Sequence, residues 1–168
     1  MIGRMTAFGI HATLQLVALV LVASFALANS TFPQHPDQAM TPGTLCKNAD
    51  EYRYPEGISY CRRNVSSELK HHIIDMYNQQ LGFHIEPEDR QQFKIDHMIP
   101  LCAGGGNDIA NLWPQHETVW VITDPIDDLV CKKMSEGRLL QKRGVELILR
   151  AKQHLDEAPQ IFDTIQAM

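Results

Sequence analysis

One stretch of this chain alternates apolar and polar side chains, and three others repeat apolar positions at helical spacing. Phe93, Ile95, His97, Ile99 and Leu101 interleave with Lys94, Asp96 and Met98, a period that predicts a strand. Gly104-Gly105-Gly106-Asn107-Asp108 predicts a tight turn after it. Asn111-Leu112-Trp113 starts a return strand, which Pro114 is expected to end because proline lacks a ladder donor. Leu69, Ile73, Met76, Tyr77 and Leu81 place a helix over 67–81, with Ser66 as N-cap, Glu68 at its positive end and Gly82 as C-cap. Asp124-Pro125 reads as the start of a second helix, with Ile126, Leu129, Val130 and Met134 as its buried stripe and Gly137 closing it. A last helix is expected over 141–155, with Val145, Ile148, Leu149, Lys152 and Leu155 on one side and Gly144 weakening its start.

Residues 86–92 are polar and read as loop, and Ile58 to Asn64 as an irregular or short-strand segment. The order of helix, strand, turn, strand, helix, helix predicts an α+β fold. No internal repeat or low-complexity tract interrupts it.

The ends change the picture. Arg4, the apolar run from Leu14 to Ala28 and the small-x-small sequence Ala26-Leu27-Ala28 read as an export signal over 1–28, with Asn29 next. An uncleaved anchor is the alternative, but the apolar run is short of the about 20 residues a bilayer span needs. Pro33, Pro36, Pro42 and Gly43 make 29–45 an extended arm before a domain over 46–168. Export implies no stable membrane association once the signal is removed.

Four cysteines then suit two disulfides. Three pairings are possible. We favour Cys46–Cys61, which closes a short loop, and Cys102–Cys131, which ties the hairpin to the following helix. A four-cysteine zinc site is the alternative, although no C-x-x-C pair is present. Removing the signal takes away Arg4 and no acid, so 14 basic and 20 acidic residues give −6. That charge argues against a protein that coats nucleic acid, whose affinity comes mainly from phosphate contacts. It leaves room for an enzyme with a local basic patch.

The candidate chemistry lies at the end of the alternating stretch. Phosphodiester hydrolysis needs a base for water, a cation near the phosphate and donors that hold it. His97 suits the base, because imidazole titrates near neutrality. Asp96 suits a hard cation. Arg62, Arg63 and Lys94 suit phosphate. Each has a plainer reading. His97 follows the apolar alternation and could be a satisfied core histidine. Arg62 and Arg63 could be solvated surface. Asp124 could be an N-cap and Asp127 its capping-box partner. Adjacent His71 and His72 diverge by about 100° on a helix and read as a solvated face. Trp113 reads as core.

Asp96-His97-x-Ile99-Pro100-Leu101, Gly104-Gly105, Asn107-Asp108 and Asn111-Leu112-Trp113-Pro114 together resemble the core of HNH endonucleases with the ββα-metal fold. Trp113-Pro114-Gln115 and the upstream Tyr60-Cys61-Arg62-Arg63-Asn64 resemble an exported bacterial branch of that family. The resemblance implies a disulfide-stabilised hairpin-helix core with flanking helices. It implies cleavage of DNA, with RNA as a second substrate. His97 would be the general base, Asp96 a ligand to one divalent ion (Mg2+ first, Mn2+ second), and Asn111 the brace that holds the base. The family's remaining ligand lies on the following helix, where this chain has no histidine after Asp124. Asp124, Asp127, Asp128, Glu117 and His116 are the candidates. A non-catalytic exported binding module that keeps the fold is the alternative, and a toxin-like effector a third.

In an ideal strand Asp96 and His97 point to opposite faces. One shared site therefore requires the strand end to bend or bulge.

Overall fold

The computed structural model describes residues 31–168, so the expected signal over 1–28 lies outside the described residues. The fold is mixed α+β: two short antiparallel hairpins, several helices and two disulfides. A small hairpin pairs β1 (Glu51–Arg53) with β2 (Ile58–Tyr60). Helix α1 (Ser67–Leu81) begins where the Ser66 side chain accepts from Leu69 N–H at 3.2 Å, and ends at Gly82 in the left-handed region. Its buried Ile73, Ile74 and Tyr77 pack against the second hairpin, β3 (Phe93–His97) and β4 (Leu112–His116). Residues 87–92, expected as loop, form a 3-10 helix.

The second hairpin departs from expectation in three ways. First, β3 stops at His97 instead of running on to Leu101. Second, no tight turn joins the strands. Residues 98–111 form a long connection with 3-10 turns at Leu101–Ala103 and Ile109–Asn111. Third, Pro114 does not end β4, which runs on to His116. The reason is register. Met98 N–H donates to Asn111 O, so hydrogen-bonded pairs alternate from there, and the Ile95–Pro114 pair falls between them. At that position proline forfeits no ladder bond.

Helix α2 (Glu117–Ser135) overturns the largest expectation: it starts two turns before Asp124-Pro125, which lies inside it. His116 is the N-cap, its ring nitrogen accepting from Thr118 N–H. Pro125 is exposed, and Val121, whose carbonyl loses its helical partner, is 64 % exposed. Water can serve that carbonyl, so the proline is tolerated. Asp124 and Asp127 are therefore not caps. Helix α3 (Gln141–Gln153) ends two residues earlier than expected, and α4 (Ala158–Gln166) was not anticipated. Ile126, Val130 and Met134 of α2 pack with Leu147, Ile148 and Ala151 of α3 and Ile161 and Ile165 of α4, forming a second core.

The disulfides pair as favoured, Cys46–Cys61 and Cys102–Cys131. The second ties the connection 98–111 to α2. The N-terminal arm lies on the same connection: Gly43 N–H donates to Ala110 O, Cys46 N–H to Gly104 O, and Leu45 bridges Gly105. Gly105 is required there, since a Cβ would sit 1.8 Å from Ile99 O. Two disulfides fit an oxidising environment. Among the described residues no helix is long and apolar enough to cross a membrane.

Candidate functional site

The site is built on the free edge of β3. In the ladder alternation, Ile95 O and His97 O point away from β4. Arg63 Nη2 donates to Ile95 O at 2.7 Å, and Lys152 Nζ donates to His97 O at 2.7 Å. Two cations thus cap neighbouring carbonyls of one edge. Each also holds one of the two side chains that the sequence singled out.

His97 is 3 % exposed. Its Nε2 lies 3.1 Å from Asn107 Oδ1 and its Nδ1 3.2 Å from Arg63 Nη1. Asn107 is itself fixed: its Nδ2 donates to Arg62 O at 2.8 Å and its Oδ1 accepts from Asn64 N–H at 3.2 Å. Burial lowers the imidazole pKa, against the Asn107 hydrogen bond, and Arg63 lowers it further. His97 is therefore neutral near pH 7, the form a general base needs.

Asn111 is fully buried and braces the connection after His97. Its Oδ1 accepts from Ile99 N–H at 2.9 Å and Thr44 N–H at 3.3 Å. Its Nδ2 donates to Ile99 O at 3.0 Å and Gly106 O at 2.8 Å. The side chain thus bridges two turns of the loop and the N-terminal arm.

Asp96 points to the other face of β3. The strand is not bulged, since pairing runs unbroken from Phe93–His116 to His97–Leu112, so the bend that one shared site required is absent and the two side chains lie on opposite faces. Asp96 Oδ2 accepts from Lys152 Nζ at 2.9 Å, and Oδ1 lies 3.6 Å from Lys94 Nζ. Lys152 also contacts Asp127 at 2.8 Å, and Lys94 contacts both Asp124 oxygens at 2.7 and 2.6 Å. Asp96, Asp124 and Asp127 present carboxylate oxygens within 4.8 Å of one another. Burial pushes Asp96 up, but Lys152 and Lys94 outweigh it and hold the carboxyl below its ordinary value. Burial pushes Asp127 up to about 7, with Lys152 opposing and Asp96 adding. Of the two acids on Lys152, Asp127 is the one that takes a proton first. Burial pushes Lys152 down, but the two carboxylates prevail and its pKa is raised.

The donor set of this trio suits a hard divalent cation, which favours carboxylate oxygens. Asp127 Oδ1 is buried without a hydrogen-bond partner, an oxygen that an ion would satisfy. Asp96, Asp124 and Asp127 thus fit a metal. Lys94, at 34 % side-chain exposure, is the cation placed to yield, whereas Lys152 is enclosed at 1 %.

His116 does not join the trio. It caps α2 and stacks on Phe32 at 3.7 Å, and its Nε2 lies 3.2 Å from Gln92 Oε1. It pairs with Phe93 at the far end of the hairpin from His97. Glu117 and Asp128 are exposed and also lie outside the trio.

Two clefts meet at Arg63. One, of about 540 Å³, is lined by Lys47, Arg62, Arg63 and Asn107, with Asp50 and Asp108. Both acids are engaged, Asp50 by Arg62 N–H and Asp108 by Thr44 Oγ1. The other, of about 330 Å³, is lined by Arg63, Lys70, His71, Arg90 and Lys94. An acidic chain thus carries a local basic track. The sequence pointed to Arg62, Arg63 and Lys94, and missed Lys47, Lys70 and Arg90, which share no segment. It also missed Asn107 as a partner of His97, and Lys152, which looked like one more member of the buried stripe of α3. No family model, curated protein or solved structure matches the chain.

Proposed function

We propose that the chain is an exported, metal-dependent endonuclease of the HNH type, hydrolysing phosphodiester bonds in DNA and, as a second substrate, RNA. The observation that carries this reading is His97: neutral, with one nitrogen bonded to Asn107 and the other beside Arg63, where two basic clefts meet. The helix that follows the hairpin, and the acids it sets beside Asp96, support a ββα-metal core.

In this reading the clefts bind the phosphate backbone through Arg62, Arg63, Lys70 and Arg90. His97 Nδ1 takes a proton from the attacking water. Asn107 keeps the ring in the tautomer that puts the lone pair on Nδ1, and Asn111 keeps the loop around it closed. Asp96, Asp124 and Asp127 would hold one divalent ion, Mg2+ or Mn2+, on the opposite face of β3 from His97; when bound it would supply positive charge beside the cleft that Lys94 lines. The two disulfides support an exported setting.

A non-catalytic exported binding module is the second reading. Lys94 and Lys152 favour it, because between them they already pair with all three acids. Circular single-stranded and supercoiled DNA, incubated with oxidised protein from Asn29 onward, separates the two. Cleavage in Mg2+ or Mn2+ that stops in EDTA is the expected result. Cleavage that persists in EDTA removes the metal from the account. Folded protein that binds DNA and cuts no substrate under any metal identifies the binding module.

A further inference from the structure

The hydrogen bonds around His97 fix more than its position. Asn107 can adopt only one amide orientation. Its Oδ1 must face the Asn64 N–H, and its Nδ2 must face the Arg62 carbonyl. That same Oδ1 faces His97 Nε2 at 3.1 Å and can only accept, so Nε2 carries the proton. Nδ1 then holds the lone pair of the neutral ring. The group 3.2 Å from it is Arg63 Nη1, which can only donate. The basic nitrogen of the ring is therefore covered by a guanidinium, and the ring is 3 % exposed. No water can be deprotonated at Nδ1 while Arg63 stays there.

Arg63 is exposed and borders both clefts, so a ligand can reach it. Its two partners inside the protein are neutral, an imidazole nitrogen and the Ile95 carbonyl. A phosphate oxygen is a stronger acceptor for guanidinium than either, because the bond is charge-assisted on both sides. We propose that Arg63 caps the basic nitrogen of His97 in the free protein, and that a phosphate group bound in the adjoining clefts draws the guanidinium away and uncovers it. The base is then exposed only when a phosphodiester is present to be attacked. Arg63 thus acts as a positioning residue as well as a phosphate contact. This inference rests on the nuclease reading for its meaning, but its test does not.

The test is 15N NMR of the histidine rings in oxidised protein from Asn29 onward. It is run without metal and at alkaline pH, where the ring stays neutral. Inorganic phosphate is titrated in at constant ionic strength, with chloride as control. In free protein His97 should show a protonated Nε2 and a hydrogen-bonded Nδ1. Phosphate should move the Nδ1 signal saturably toward the position of an unbonded nitrogen, and chloride should not. Arg63→Met should show the shifted Nδ1 without phosphate and respond no further. Phosphate that moves the backbone signals of Arg62 to Asn64 and leaves Nδ1 in place overturns the proposal. So does the absence of any phosphate response, or an Arg63→Met ring identical to wild type. The wild-type titration decides the matter alone if the variant does not fold. Protein that cuts no nucleic acid but shows the Nδ1 response keeps the cap and loses the nuclease. Active protein with a silent Nδ1 loses the cap and keeps the nuclease.

Discussion

Single residues at the hairpin end show how far burial and hydrogen bonding constrain the chemistry. Asn111 makes four hydrogen bonds to backbone from a fully buried side chain. Asn111→Ala strands Ile99 N–H and C=O beside a cavity, so we expect a stability loss of about 3 kcal/mol, read by urea unfolding. A loss under 1 kcal/mol would show that the loop closes without it. Asp127 gives a pH signature. Its carboxyl is raised to about 7 in the fold, above the ordinary aspartate value. Folding therefore favours the protonated acid, and this contribution is complete at low pH and lost as pH rises through 7. In metal-free protein, the stability advantage of wild type over Asp127→Asn should shrink between about pH 5 and pH 8. A difference that grows over that range contradicts the assignment. Several of these residues were visible in the sequence by type: His97, Asp96 and Asn111 stand in a pattern that singles them out. Lys152 was not, because its place in an apolar stripe records burial and says nothing of the acids it meets.

At the scale of elements, local signals were legible where they were satisfied locally. Ser66 and Gly82 bracket α1 as their chemistry requires, and the alternation of Phe93 to His97 is a strand. Asp124-Pro125 misled because a helix start and an exposed mid-helix proline look alike over two residues. The true start lies at His116, an uncommon cap that only the fold reveals. Strands β1 and β2 are three residues each, too short to show a period. Gly144, which as a residue weakens a helix, permits α3 to approach α2: a Cβ there would meet Val130 Cγ1 at 2.8 Å. The Cys46–Cys61 bridge spans 15 residues and pins the segment that carries Arg62 and Arg63. Replacing both cysteines by serine should cost about 3 kcal/mol in thermal or urea unfolding. If stability is unchanged, the segment is held by its hydrogen bonds alone.

For the whole molecule, the balance of charge and its placement carry different messages. The net charge of −5 argues against general affinity for nucleic acid, yet cations from four separate segments converge on one surface. Composition could not show this, since Lys47, Arg63, Lys70 and Arg90 are brought together only by folding. If the track binds phosphates, Lys70→Ala and Arg90→Ala should each weaken binding alike for all sequences. Each should also reduce the slope of log affinity against log salt by about 1. Fluorescence anisotropy in EDTA with labelled DNA checks this, and unchanged slopes would place the nucleic acid elsewhere.

His97 is the group proposed to activate water. The most direct test of that role is cleavage of supercoiled plasmid by wild type and His97→Ala, in Mn2+, with folding of both verified by circular dichroism. General-base catalysis contributes about 10²–10⁴-fold, so the variant should lose at least that much rate while still binding DNA. Cleavage at the wild-type rate by the variant would contradict that role and move the chemistry to another site.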